Sequence, residues 1–292
     1  MKLCCLTILK LENINYQKYK IMIKKFVYTL FIIAAALSAK AQSNNFKYDF
    51  GDKEASFNPN PGTSSTTFLP RVAINKSLRA RVRTSSDGTG EFNLVKKGAD
   101  FIKGAGLEIV AGTTTSKFSL YNTNISSVSK ASFNLKFNDS AAGQWVFANG
   151  SSENSDDLFQ GNGGVKETSS EVFVGLRWNL SAANETNFYV RNGLKWASVK
   201  SFQFTKNTEY LIEVYSNNSA DAKKYVKDGE NTLNAGTYHV WANGKRIPAD
   251  FVTGGLEPGK SLTGLLVYGV MPKGSEGSAK AWLDNLEITD GL

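Results

Sequence analysis

The chain has 292 residues, a formal net charge of +8, 21% charged residues, two cysteines and one histidine. The cysteines, Cys4 and Cys5, sit at the extreme N-terminus, so a Cys/His zinc site, a Cys nucleophile and a disulfide framework are all excluded for the body of the chain. The positive balance is local: seven lysines against Glu12 give the first 41 residues +6 and leave +2 for the remainder, so nucleic acid is not an expected partner.

Residues 1–21 read as an upstream extension. From Met22 the sequence has the three parts of a secretory leader: Lys24 and Lys25, an apolar run from Phe26 to Leu37, and the small-x-small cleavage pattern Ala39-Lys40-Ala41. The apolar run is shorter than the ~20 residues a transmembrane helix needs, so the expectation is a signal peptide over 22–41. Cleavage near Ala41 would leave a secreted or cell-surface chain with no membrane insertion. The 251 residues from Gln42 onward have no cysteine and must rely on packing, for which that length suffices.

Beyond the leader, Phe46-Lys-Tyr-Asp-Phe50 predicts a short strand, followed by a Gly/Pro/Ser/Thr-rich connection. Ser77-Leu-Arg-Ala-Arg-Val-Arg83 places Arg79, Arg81 and Arg83 on one face, read as a solvated edge rather than a polymer-binding stripe. Ala131, Phe133, Leu135 and Phe137 alternate with polar residues, and Val172, Val174, Leu176, Trp178 and Leu180 do the same, which predicts strands with one buried face. In 208–215, Tyr210, Ile212 and Val214 oppose Leu211, Glu213 and Tyr215, while 218–226 reads as room for one helical turn. Asn-Gly at 149–150, 162–163, 192–193 and 243–244 and Asp-Gly at 87–88 and 228–229 tolerate the positive φ of tight turns. Many short strands so punctuated predict an all-β sandwich, and no linker divides 42–292, which reads as a single domain.

Three segments carry a family resemblance: Asn207-Thr-Glu-Tyr-Leu-Ile-Glu-Val-Tyr215, Thr237-Tyr-His-Val-Trp-Ala-Asn-Gly-Lys-Arg-Ile247 and Ala281-Trp-Leu-Asp-Asn-Leu-Glu-Ile288. Together they resemble the concanavalin A-like, laminin-G-like jelly-roll domains of exported Bacteroidota proteins, best over 172–288. The resemblance implies a jelly-roll sandwich of two antiparallel sheets whose closing strand pairs near the N-terminal one. It leaves function open, because the fold hosts lectins, adhesins, hydrolases and lyases.

No Gly-x-Ser-x-Gly elbow or Walker-type loop is present. The Glu-x-Asp-x-x-Glu strand of the fold's glycosidases is also missing, and Glu213 is the acid placed mid-strand on a ligand face. Residues opposite the apolar sets are Phe173 and Arg177, Tyr189 and Arg191, Glu213 and Tyr215, and His239 and Trp241, with Tyr238, Val240 and Ala242 inward. If those strands are neighbours, Arg177, Tyr189, Arg191, Glu213, Tyr215, His239 and Trp241 form one face. Its rings would stack on sugar C–H faces and its arginines would pair with carboxylate or sulfate. The expected function is a secreted, non-catalytic carbohydrate-binding or adhesion module whose partner is a polysaccharide or cell-surface glycan. The alternatives are a jelly-roll polysaccharide lyase acting on an acidic glycan and a structural envelope or matrix component. The lyases' Gln-x-His strand is absent, since Thr237 and Tyr238 precede His239. No cofactor is expected beyond a structural calcium, for which Asp139, Glu153–Asp157, Asp284 and Asn285 are the oxygen donors considered.

Overall fold

The computed structural model describes residues 45–57, 62–71, 78–96, 104–153 and 158–292. The leader, Ser77 and the oxygen-rich stretch 154–157 lie outside them. No helix occurs among the described residues; the chain forms two large antiparallel sheets and one separate hairpin.

The first sheet runs, edge to edge, Lys245–Arg246, Thr237–Ala242, Tyr210–Asn217, Val128–Phe137, Lys280–Asp290, Gly106–Val110, Glu91–Val95 and Ala55–Phe57. Asn45–Tyr48 also pairs with Lys280–Asp290, Phe46 opposite Ile288, so the closing strand meets the N-terminal one as the resemblance implies. The second sheet runs Lys195–Ser198, Glu185–Asn192, Val172–Leu180, Gly143–Gly150, Gly264–Val270, Ser116–Tyr121, Arg79–Arg83 and Ser64–Ser65. The hairpin is Lys223–Val226 with Glu230–Leu233. Two layers of antiparallel strands around one core make a jelly-roll β-sandwich.

Inward residues from both sheets fill that core. Phe133 of the first sheet stacks on Phe147 of the second with ring centroids 4.6 Å apart, and Trp178 packs among Phe137, Phe188 and Phe204. The alternation predicted over 131–137 and 210–214 holds in full, since Ala131, Phe133, Leu135, Phe137, Tyr210, Ile212 and Val214 are all core.

Three details differ from the sequence reading. A bulge between Val172 and Val174 puts two residues of this strand against one of its neighbour, so Phe173 turns into the core and Val172 out of it, the reverse of strict alternation. Residues 223–226 form a strand where a helical turn was expected. The Asn149-Gly150 pair ends a strand instead of making a turn, whereas Asn243 (φ 48°) and Gly244 (φ 74°) do form a two-residue hairpin loop.

Phe133→Ala is expected to cost about 3–5 kcal/mol by opening a core cavity, while thermal unfolding stays a single transition. Two separated transitions in a calorimetric scan would contradict one shared core.

Candidate glycan-binding face

The seven residues singled out from sequence fall into two groups on opposite sides of the sandwich. Arg177, Tyr189 and Arg191 belong to the second sheet; Glu213, Tyr215, His239 and Trp241 belong to the first. Each group does point away from the core, as alternation requires. The single shared face is nevertheless incorrect, because strands 172–180 and 185–192 pair with each other and never with 210–217 or 237–242.

The first-sheet group is covered. Hairpin 223–233 lies over it, and Tyr215, Tyr225, Leu233 and Trp241 make a buried cluster. The rings of Tyr215 and Tyr225 stack at 4.0 Å, and Trp241 Nε1 donates to Tyr225 Oη at 3.0 Å. Trp241 is 3% exposed and His239 0%, which corrects their assignment to a solvent-facing surface. His239 Nδ1 is 2.8 Å from Tyr225 Oη, and its Nε2 is 2.9 Å from Asp250 Oδ1. Asp250, which only accepts, favours a proton on Nε2, whereas Arg246, which only donates, lies 2.8 Å from the same nitrogen and favours it bare, so these two neighbours call for opposite tautomers. Arg246 also donates to Asp250.

Burial holds the His239 pKa below the usual imidazole value, the Arg246 charge adds to this, and Asp250 offsets part of it. Glu213 closes the other end: Lys130 of the sheet, at 2.9 Å, and Lys227 beside the hairpin both pair with it. Burial alone would raise the Glu213 pKa, but the two ammonium groups outweigh it and the carboxyl stays ionised below its ordinary range. Together the stack, the hydrogen-bonded chain and the ion bridge fix a hairpin that has no ladder to either sheet.

The outer face of the second sheet is half covered. Segment 158–171 lies on it, with Leu158, Phe159 and Val165 packed against Tyr121, Val146, Leu266 and Tyr268. Cations of the sheet satisfy this segment's carbonyls. Arg81 donates to Gln160, Lys117 to Leu158 at 2.7 Å and Gly163 at 3.0 Å, and Arg191 to Glu167 at 3.2 Å and Ser169 at 3.0 Å. Arg191 also donates to Gly254 O at 2.8 Å and is wholly buried, so it is a structural arginine.

Beyond this cover the face is open. In one cross-strand row, Lys117, Tyr268 and Val146 lie under the cover, and Arg177, Tyr189 and Ser198 continue the row past its edge. The Arg177 guanidinium carbon stands 4.4 Å from the Tyr189 ring centroid and 4.6 Å from that of Trp196. Trp196 lies where a Gly175 side chain would be: a Cβ there would come within 2.7 Å of Arg191 Cβ and 3.2 Å of Trp196. Two residues along the strand from Arg177, Asn179 accepts from Gln144 Nε2 at 3.2 Å. Arg177, Tyr189, Trp196, Gln144 and Asn179 are all half-exposed. Two rings, a cation and two amides on one accessible surface match the groups that proteins use to hold sugars.

Among the described residues no three His, Cys, Asp or Glu side chains gather to hold a metal. Asp139, considered as a calcium ligand, instead offers its carbonyl to the Lys206 ammonium, as do Ser140 and Ser181. Asp284 accepts from the Asn285 backbone within a bulge of the closing strand. No helix of the described residues is long and apolar enough to cross a membrane.

No protein-family model matches the chain, and no curated protein sequence matches it. Among solved structures it is similar to an alginate lyase (12% identity, TM-score 0.37, covering 63% of this chain and 74% of that one). It is also similar to the botulinum neurotoxin serotype D binding domain (10%, 0.41, 84% and 48%) and to a galectin of Caenorhabditis elegans (12%, 0.32, 62% and 94%). The chain thus spans about half the length of the toxin domain. At such identities the likeness concerns the sandwich alone.

His239 stays neutral in the fold and protonates at a higher pH in the unfolded chain, so its contribution to stability is complete above about pH 6.5 and falls as the pH drops below that. The melting temperature should therefore decline from pH 7 to pH 5, and His239→Gln, which cannot titrate, should flatten that decline. An unchanged slope in the variant would contradict the buried, neutral assignment.

Proposed function

We propose that this chain is an exported, non-catalytic carbohydrate-binding module of the concanavalin A-like, laminin-G-like type. It would engage an extracellular polysaccharide or cell-surface glycan through the open face of its second sheet. The leader-like segment 22–41 supports export. The observation that carries the binding reading is the accessible cluster of Arg177, Tyr189 and Trp196 beside the Gln144–Asn179 amide pair. Aromatic rings give a sugar's C–H face contact area at small entropic cost, and amides match its hydroxyls.

The lyase alternative needs a proton-transferring His or Tyr within reach of substrate. The His/Tyr pair that this alternative would use cannot assemble at one surface: His239 and Tyr215 are buried beneath the hairpin on the first sheet, with 0% and 6% exposure, while the accessible Tyr189 lies on the second sheet beside Arg177 with no histidine near it. Binding without turnover is therefore the better-supported reading.

A glycan array decides between a binding module and a structural scaffold, and ultraviolet absorbance of unsaturated product in polyuronate solutions detects a lyase. The expectation is binding without turnover. Trp196→Ala should weaken binding about tenfold through lost stacking, worth roughly 1–1.5 kcal/mol, with little effect on melting. Trp241→Ala should instead cost about 3–5 kcal/mol in stability and leave the folded fraction's affinity intact. A blank array would refute the binding reading, and glycan cleavage abolished by His239→Ala would establish the enzyme.

Material recovered outside the cell should begin at Gln42 on N-terminal sequencing. An N-terminus upstream of Met22 would contradict the leader.

A further inference from the structure

Arg177 differs from the cations that fasten the covering segments. Arg81, Lys117, Arg191 and Lys206 each donate to backbone carbonyls, and Lys130 and Lys227 pair with Glu213. Arg177 donates to none of the described residues. Its Nε is buried without an acceptor. Among the described residues it forms no ion pair with a carboxylate, and burial is the main influence on its guanidinium, lowering its pKa. Its guanidinium is held by two rings, at 4.4 and 4.6 Å, which contact it without accepting from its N–H groups.

Withdrawing N–H groups from water without giving them acceptors destabilises the free protein. The same arrangement is what a receptor for an oxyanion requires. The charge is fixed in place before binding, the competing acceptors are absent, and the guanidinium edge presents parallel donors to two oxygens of one group. Gly175, which gives Trp196 its place, and strand 172–180, which is paired on both sides, keep this geometry rigid.

We propose that Arg177 is the anion receptor of this face, and that the glycan it takes carries a planar or tetrahedral oxyanion, a uronate carboxylate or a sulfate ester, next to the sugar that rests on Trp196. This rests on the carbohydrate-binding reading and names the chemical class of its ligand. Tyr189 and Trp196 are then positioning groups for the arginine as well as stacking surfaces. Gln144 and Asn179, on the same side of the sheet, meet hydroxyls of the neighbouring sugar.

Four probes test it by titration calorimetry on the intact protein: oligogalacturonate, its carboxyl-reduced form, a sulfated galactan oligomer and its desulfated form. One anionic oligomer should bind, and its neutral counterpart should bind at least about tenfold more weakly. Whether the carboxyl or the sulfate pair shows this difference identifies the source of the oxyanion. Arg177→Gln should lower the affinity for the anionic oligomer about 10- to 100-fold and bring the anionic-against-neutral ratio close to one. Arg177→Lys should recover only part of the loss, because an ammonium lacks the two-pronged donor edge. If the glutamine variant fails to fold, the lysine variant and the neutral-against-anionic ratio of the wild type still decide the matter. Equal binding of the neutral and anionic forms, or an Arg177→Gln protein that binds as well as wild type, would overturn the anion receptor while leaving glycan binding in place. No heat with any of the four together with a blank array would overturn both readings.

Discussion

Cations that leave the sheet and donate to the carbonyls of the chain covering it decide what each face of this sandwich can do. A loop laid across a sheet makes no ladder, so its backbone carbonyls need other donors. Segment 158–171 finds them in Arg81, Lys117 and Arg191, three side chains that sequence alternation points outward. Lys206 does the same at another site with the carbonyls of Asp139, Ser140 and Ser181. In a chain whose only cysteines are Cys4 and Cys5, these charge-assisted bonds perform the fastening that disulfides supply in disulfide-bonded domains. They also consume cations that a reading from composition would assign to a ligand.

The two faces are fastened differently, and the proposed function rests on the difference. On the first sheet the covering hairpin is held by aromatic stacking, the Asp250–His239–Tyr225–Trp241 chain and the Lys130–Glu213–Lys227 bridge. Glu213, Tyr225, His239 and Trp241 there each have a polar partner inside the protein. On the second sheet the cover stops short of Arg177, Tyr189, Trp196, Gln144 and Asn179, so that surface keeps accessible rings, two amides and an arginine that donates to none of the described residues. Binding energy is available only where the fold has left it unused.

Much of the sandwich is legible in the sequence because its signal is local. Alternation at 131–137 and 210–215, the Asn243-Gly244 turn and the closing strand through Ile288 each follow from neighbouring residues. The pairing of distant strands is not local. Nothing near Arg191 or His239 says that their strands lie in different sheets, so the grouping of seven residues into one face could not be checked from alternation. The bulge at 172–174 escapes for a similar reason, since one extra residue reverses a face without changing composition. Trp196 had a readable signal: the Asn-Gly pair at 192–193 marks the turn, formed by Gly193 and Leu194, that folds strand 195–198 back on 185–192 and sets Trp196 against Arg191 in the row beside Arg177. Tyr225 had a weaker one, in the Asp228-Gly229 turn that makes 223–233 a hairpin.

Hydroxyl-radical footprinting of the protein with and without a saturating oligosaccharide tests most directly which face the fold leaves for a ligand. Protection of Tyr189 and Trp196, with Tyr215, Tyr225 and Trp241 unreactive in both states, is the expected pattern. Ligand-dependent change at Tyr215, Tyr225 or Trp241, with Tyr189 and Trp196 equally reactive throughout, would place the site under the hairpin and contradict the assignment.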